Sequence, residues 1–256
     1  MSILDSFRLD DKVALVTGGN RGLGKQMALA LAEAGASLAI VSRRADEAGA
    51  AGKEIASSTS RVCRGYGCDV VVAEQVEATV AQALDDFGRI DILINNAGIN
   101  VRGPIDELSV DEFRRVQETN VTGPWLLCKA MAAHFKKRRS GRVINIGSIL
   151  SIISLPDRTP YSASKGAVLQ LTRALALEWA PYSVTVNCIM PGPFGTEMNQ
   201  TLLKDPKAYQ EFIARIPLGR WGNLDEIGGL VVFLASNASS FITGAAIAID
   251  GGWTAQ

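Results

Sequence analysis

The sequence holds one histidine, four cysteines and no excess of either charge, with 26 Lys and Arg set against 26 Asp and Glu. Each shortage removes a class of function. Proteins that work on phosphate-backbone electrostatics carry a basic excess, so nucleic acid is not expected as a partner. Cys63, Cys68, Cys128 and Cys188 are scattered and lack CxxC spacing, which argues against a disulfide framework and against zinc. The one histidine, His134, lies in His-Phe-Lys-Lys-Arg-Arg and reads as the solvated end of a helix. Histidine triads and histidine-rich metal sites are therefore not expected, and no metal is predicted. The N-terminal MSILDSFRLDDK has no apolar core of the signal-peptide kind. The longest uncharged run, Ile227 to Ile249, is broken by Ser236-Asn237-Ala238-Ser239-Ser240, which would be costly in lipid. The expectation is a cytoplasmic protein with no membrane partner.

What is present is apolar and regular. Of 256 residues, 47% are hydrophobic and 20% charged, enough to bury a large core. Short apolar runs alternate with helix-like segments from end to end. Strands are predicted at 13–16, 38–41, 61–67, 92–94, 143–146, 184–189 and 245–249. Helices are predicted at 23–34, 45–57, 73–87, 109–136, 161–180 and 224–235. Continuous apolar strands separated by helices imply right-handed βαβ units and strands buried on both faces. The fold class is α/β: a single-domain, Rossmann-like, doubly wound parallel sheet of about seven strands with helices on both faces, spanning 1–256. The least regular stretch, 191–222, holds four prolines and four glycines. Its place late in the chain, beside strand ends, suits a substrate lid.

Thr17-Gly18-Gly19-Asn20-Arg21-Gly22-Leu23-Gly24 falls between the first strand and the first helix. Glycines there permit a tight turn and close approach of backbone to a pyrophosphate, and the helix start offers free N–H groups. The spacing Gly18-x-x-x-Gly22-x-Gly24 departs from the common GxGxxG pattern. Gly18, Asn20, Arg21, Leu23 and Gly24 are candidate cofactor contacts. The second strand ends in Ser42-Arg43-Arg44 with no carboxylate, and Arg21 could converge from the other side. Guanidinium forks suit a 2′-phosphate, so NADP(H) is predicted over NAD(H). Asp69, followed by Val70 after the third strand, is a candidate partner for the adenine amino group.

Tyr161-Ser162-Ala163-Ser164-Lys165 opens a helix, and a spacing of four puts Tyr161 and Lys165 on one face. A nearby ammonium stabilises phenolate, so the pair could exchange a proton with a carbonyl or alcohol oxygen. Ser148, thirteen residues earlier, could polarise the same oxygen; by itself it would read as a turn cap.

Together TGGNRGLG at 17–24, NNAG at 95–98, Asn120 in TNVTG, Ser148, YSASK at 161–165 and PGPFGTEM at 191–198 resemble the short-chain dehydrogenase/reductase family over nearly the whole chain. The resemblance implies that Tyr161 is general acid in reduction and base in oxidation. It implies that Lys165 holds the nicotinamide ribose and lowers the Tyr161 pKa, and that Ser148 bonds the substrate oxygen. Asn120 is implied to fix a bend in the long helix and to hold a water linking Lys165 to solvent. Asn96, Ala97 and Gly98 line the cofactor, and Pro191, Gly192, Phe194 and Thr196 position the nicotinamide. A homotetramer is implied too, with the long helices and the final strand with Trp253 as interface elements.

FRLDDKVALVTGG, IPLGRWG at 216–222 and AIDGGWTAQ are similar to gluconate 5-dehydrogenases and related sugar-acid or polyol reductases. Such relatives often carry two arginines shortly after NNAGI. Here Asn100-Val101-Arg102 matches only the second. Arg102 and Arg158 are candidate partners for a substrate carboxylate, with Leu150 beside them. Ile149, Leu150, Ile152, Ile153 and Leu155 make that wall apolar, which fits a sugar acid less well than an aliphatic or aromatic ketone. The expected partner is a small carbonyl or alcohol substrate. A 3-oxoacyl thioester reductase or broad carbonyl reductase is the competing reading. A catalytically silent nucleotide sensor or scaffold is the alternative from another class, and its signature would be loss of Tyr, Lys or Ser.

Overall fold

The structure, a computed structural model, describes residues 2–196 and 206–255. Its elements in chain order are β1 (Val13–Thr17), α1 (Gly22–Glu33), β2 (Ser37–Ser42), α2 (Ala45–Thr59), β3 (Cys63–Gly67), α3 (Ala73–Phe87) and β4 (Ile92–Asn95). There follow α4 (Val110–Gln117), α5 (Gly123–Arg138), β5 (Gly141–Ile146), α6 (Thr159–Trp179), β6 (Val184–Pro191), α7 (Pro206–Ile213), α8 (Ile227–Ala235) and β7 (Ala246–Ile249). The seven strands form one sheet in the order β3-β2-β1-β4-β5-β6-β7, and every pairing is parallel. The order reverses between β1 and β4, so a crevice opens beyond Thr17 and Asn95, where ligands bind in open α/β sheets.

Alternation along each strand feeds two cores. From β1, Ala14 and Val16 pack with Met27 and Leu31 of α1, Ile55 of α2 and Val231 of α8. Val13 and Leu15 face the other way, onto Val80 of α3, Met131 and Phe135 of α5 and Trp179 of α6. All five residues of β1 and all eight of β6 are buried, and β6 encloses the polar Thr185 and Asn187 along with its apolar residues. Apolar burial of this kind contributes about 25 cal/mol per Å².

Four expectations change. The helix predicted over 109–136 is two helices joined by a π turn, Glu118–Thr122, in which the Gly123 N–H bonds the Glu118 carbonyl. Such single π turns occur mostly at functional sites. The late stretch is not wholly irregular, because α7 lies within it; residues 197–205, including Glu197 and Met198 of the PGPFGTEM motif, lie outside the described residues. His134 is not a solvated helix end. It is half-buried with Nε2 3.0 Å from the Ile90 carbonyl oxygen, and burial lowers its pKa. Trp253 needs no neighbouring subunit to cover it: it is 6% exposed within its own chain, its ring 5.0 Å from that of Phe212.

Candidate active site

The turn after β1 is shaped by backbone that only glycine adopts easily. Gly18 has φ +63° and donates from its N–H to the Val41 carbonyl at 2.8 Å; Gly22 has φ +53°. A Cβ on Gly24 would collide with the Gly18 carbonyl and the Asn96 amide. Helix α1 then begins with no side-chain cap from Arg21, so its first N–H groups keep their donor capacity for an anion. From beneath, the Thr17 hydroxyl accepts from the N–H groups of Asn96 (3.0 Å) and Ala97 (3.1 Å). Asn96 returns its side-chain amide to the carbonyls of Thr17 (2.9 Å) and Gly18 (3.2 Å). The Asn96 side chain is thus a clamp on the turn. Ala97 and Gly98 carry the chain on from it, and a Cβ on Gly98 would stand 3.2 Å from Asn120 Oδ1.

The predicted adenosine contacts are spread along the strand ends. Ser42 is buried and donates to the Arg44 carbonyl at 2.6 Å. Arg43 and Arg44 are exposed, and Arg44 is ion-paired with Glu47 on α2. Asn20 donates to the same Glu47 carboxylate at 3.0 Å, a partner the sequence reading missed. Arg21 and Leu23 sit at the start of α1. Asp69 Oδ1 accepts from the Val71 N–H at 3.3 Å, and Val70 is buried against Gly123.

Around Tyr161 the expected residues converge. Lys165, 5% exposed, donates from Nζ to the Ile146 carbonyl at 2.7 Å and stands 5.5 Å from the Tyr161 ring centre. Its burial lowers the lysine pKa to about 8. Burial raises the Tyr161 pKa; a hydrogen bond from Ser148 and the charge of Arg102 pull it the other way. Ser148 is also a cap, its hydroxyl accepting from the Leu150 N–H at 3.1 Å.

Asn120 sits 1% exposed inside the π turn. It accepts from the Ile99 N–H at 2.8 Å and donates to the Ile99 carbonyl and the Ser164 hydroxyl, both at 2.9 Å. Ser164 in turn donates to the Tyr161 carbonyl at 2.7 Å. This chain ties the loop after β4 to the first turn of α6. Ser164 and Gln117, which bonds the Pro160 carbonyl at 2.9 Å, were missed by sequence reading. The signal for Ser164 lay in its spacing, three residues after Tyr161.

The remaining candidates form the opposite wall. Pro191 ends β6, and a Cβ on Gly192 would stand 2.7 Å from Asp250 Cα. Phe194 is buried against Gly222, and Thr196 lies across from Gly22 of the glycine turn. Leu150 is buried in a cluster with Ile216, Trp221 and Trp253, joined by Tyr161, Tyr209 and Phe212. The loops carrying Arg102 and Arg158 meet where the Gly103 N–H bonds the Asp157 carbonyl at 3.2 Å. Burial first, and then the charge of Arg102, lowers the Arg158 pKa.

Known proteins match this chain along nearly its whole length. A family model described as enoyl-(acyl carrier protein) reductase matches residues 18–254. The chain is 40% identical to a 2-dehydro-3-deoxy-D-gluconate 5-dehydrogenase of Pseudoalteromonas atlantica, covering 98% of this chain and 99% of that one. It is 37% identical to a D-threitol dehydrogenase of Mycolicibacterium smegmatis, covering 99% and 97%. Among solved structures, a gluconate 5-dehydrogenase from Burkholderia cenocepacia in complex with NADP and tartrate superposes with a TM-score of 0.97 at 38% identity, covering both chains fully.

Proposed function

The chain belongs to the short-chain dehydrogenase/reductase family, and from that premise we propose that it interconverts a ketone and a secondary alcohol with NADP(H), its substrate a keto sugar acid or polyol. The observation that carries this reading is the convergence of Ser148, Tyr161, Lys165 and Asn120 beyond the ends of β4 and β5. An intact constellation of this kind speaks against a silent sensor or scaffold.

The residues present fit the cofactor. The uncapped start of α1 and the glycine turn that a Cβ would fill suit a pyrophosphate. Arg21, Arg43 and Arg44, with Asn20 and Ser42, suit a 2′-phosphate. Asp69 and Val70 take the adenine, Ala97 and Gly98 line the ribose side, and Pro191, Gly192, Phe194 and Thr196 flank the nicotinamide. When bound, NADP(H) supplies or accepts the hydride. Tyr161 gives its phenolic proton to the carbonyl oxygen in reduction and takes it back in oxidation. Ser148 donates to the same oxygen. Lys165 holds the ribose hydroxyls and, as an ammonium, favours the phenolate. Asn120 keeps the π turn in place and holds a water that connects Lys165 to solvent. Arg102 and Arg158 take the substrate carboxylate, with Leu150 against the carbon chain.

The apolar cluster around Leu150 favours a second reading, a 3-oxoacyl thioester reductase. Measuring NADPH consumption with 5-keto-gluconate and with an acetoacetyl thioester separates the two. Turnover of the keto acid alone supports the sugar-acid reading, and turnover of the thioester alone replaces it. The proposal includes a cytoplasmic homotetramer. Among the described residues no helix is long and apolar enough to cross a membrane. Exposed Phe113, Trp125 and Leu177 on α4–α6 give subunits an apolar face to share. A clean monomer on sizing would contradict the assembly.

A further inference from the structure

We propose that Glu47 is a specificity-determining residue for the cofactor, its carboxylate occupying the cradle of Asn20 and Arg44 where the 2′-phosphate binds and holding the affinity for that phosphate below what the cradle alone would give. The inference rests on the NADP(H) reading above. Its ground is the groove between the glycine turn and α2, lined by Asn20, Arg21, Lys25, Glu47 and Glu54. Glu47, in the first turn of α2, engages two of the groups that an incoming phosphate would use. It pairs with the Arg44 guanidinium and accepts from Asn20 Nδ2 at 3.0 Å. Another cation of the groove, Lys25, is paired with Glu54 at 2.7 Å. An anion therefore already stands among the donors, in the role a 2′-phosphate would take.

Two effects of Glu47 oppose each other. By tethering Arg44 it orders a side chain that a phosphate needs ordered. Arg44 is 69% exposed, however, and solvated pairs three residues apart contribute little. Against that, a carboxylate left beside a phosphate of nearly two negative charges repels it, and Arg44 must leave one partner for the other. The repulsion acts on two charges at once and the tether on one loose side chain, so repulsion prevails. NADP(H) binds despite Glu47, and NAD(H), which brings no phosphate to this cradle, is insensitive to it.

Calorimetric titration of the full-length chain with 2′,5′-ADP and with ADP tests this. Glu47→Gln keeps an acceptor for Asn20 and removes the charge. It is expected to tighten 2′,5′-ADP about tenfold at low salt, to leave ADP within about twofold, and to lose most of the gain at about 0.5 M salt. Retained ADP binding shows that the variant is folded. Unchanged or weakened 2′,5′-ADP binding in the variant, with wild-type preference for 2′,5′-ADP intact, overturns the role of Glu47 alone. Equal wild-type binding of the two ligands removes the NADP(H) reading and this inference with it.

Discussion

The turn after β1 and the wall around Leu150 face each other across one crevice, yet they are made differently. The turn is held from below by backbone and by two side chains, Thr17 and Asn96, whose bonds span 2.9 to 3.2 Å. Its shape depends on missing side chains: Gly18 and Gly22 at positive φ, and Gly24 with no room for a Cβ. The wall is assembled from side chains on separate segments, Leu150 after β5, Tyr209 and Phe212 on α7, Trp221 beyond it and Trp253 near the C-terminus. A backbone cradle suits a ligand part that never changes, and a side-chain wall suits one that must be selected. Tyr161 packs into the wall.

Substitutions that separate the halves should differ in kind as well as size. Tyr161→Phe is expected to lower kcat about 10³-fold while NADPH binding, followed by fluorescence, stays near wild type. Near-normal turnover would remove Tyr161 from the proton path. Gly24→Ala strikes the cradle. With the Gly18 carbonyl and Asn96 amide in its way, the methyl group should cost about 2 kcal/mol or more in denaturant unfolding and weaken NADPH binding sharply. If binding survived, the cofactor would not lie against this turn. Arg158→Ala or Arg102→Ala strikes the wall. Each should raise KM for a keto sugar acid about tenfold and leave the NADPH KM within about twofold. An equal rise for a neutral polyol would show that the arginines do not read a carboxylate.

The smallest expected effect sharpens the boundary between the halves. Lys165 has a pKa of about 8 when folded against 10.5 ordinarily. Between those values the unfolded chain holds more protons than the folded one, so unfolding free energy should rise with pH. The slope is at most about 1.4 kcal/mol per pH unit for one group. Lys165→Met should flatten that segment of a stability–pH curve measured without cofactor. An identical slope in the variant would mean that the lysine is not desolvated as its burial suggests.

Local signals proved reliable where the physics is local. The helix read at 73–87 is observed as Ala73–Phe87, because Val76, Val80 and Ala83 recur at helical spacing on a buried face. The central strands β1, β2 and β4 were legible because a parallel sheet buries both of their faces. Tyr161 and Lys165 were legible because a spacing of four puts them on one side of a helix. The resemblance implied a bend at Asn120, but its π geometry was not legible: Thr119, Asn120, Val121 and Thr122 are weak helix formers, and composition does not tell one kind of bend from another. What displaces the helix there is a pair of bonds to Ile99, twenty-one residues away in sequence. Glu47 was hidden for a similar reason. On α2 it reads as one more exposed acid, and only the approach of Asn20 from a different loop gives it a partner.

By itself, then, the amino-acid sequence determined most of the strands and helices, that the sheet is parallel, where glycine is needed, and that a tyrosine and a lysine share a face. Those follow from backbone preference and side-chain period, which act over a few residues. The tertiary structure alone decided that Asn96 clamps the turn, that Asn120 ties the β4 loop to α6, that Trp253 is covered by its own chain, and that Glu47 sits among the donors of the nucleotide groove. Each depends on groups far apart along the chain meeting within about 3–6 Å, and hydrogen bonds, ring contacts and charge interactions act only at such distances.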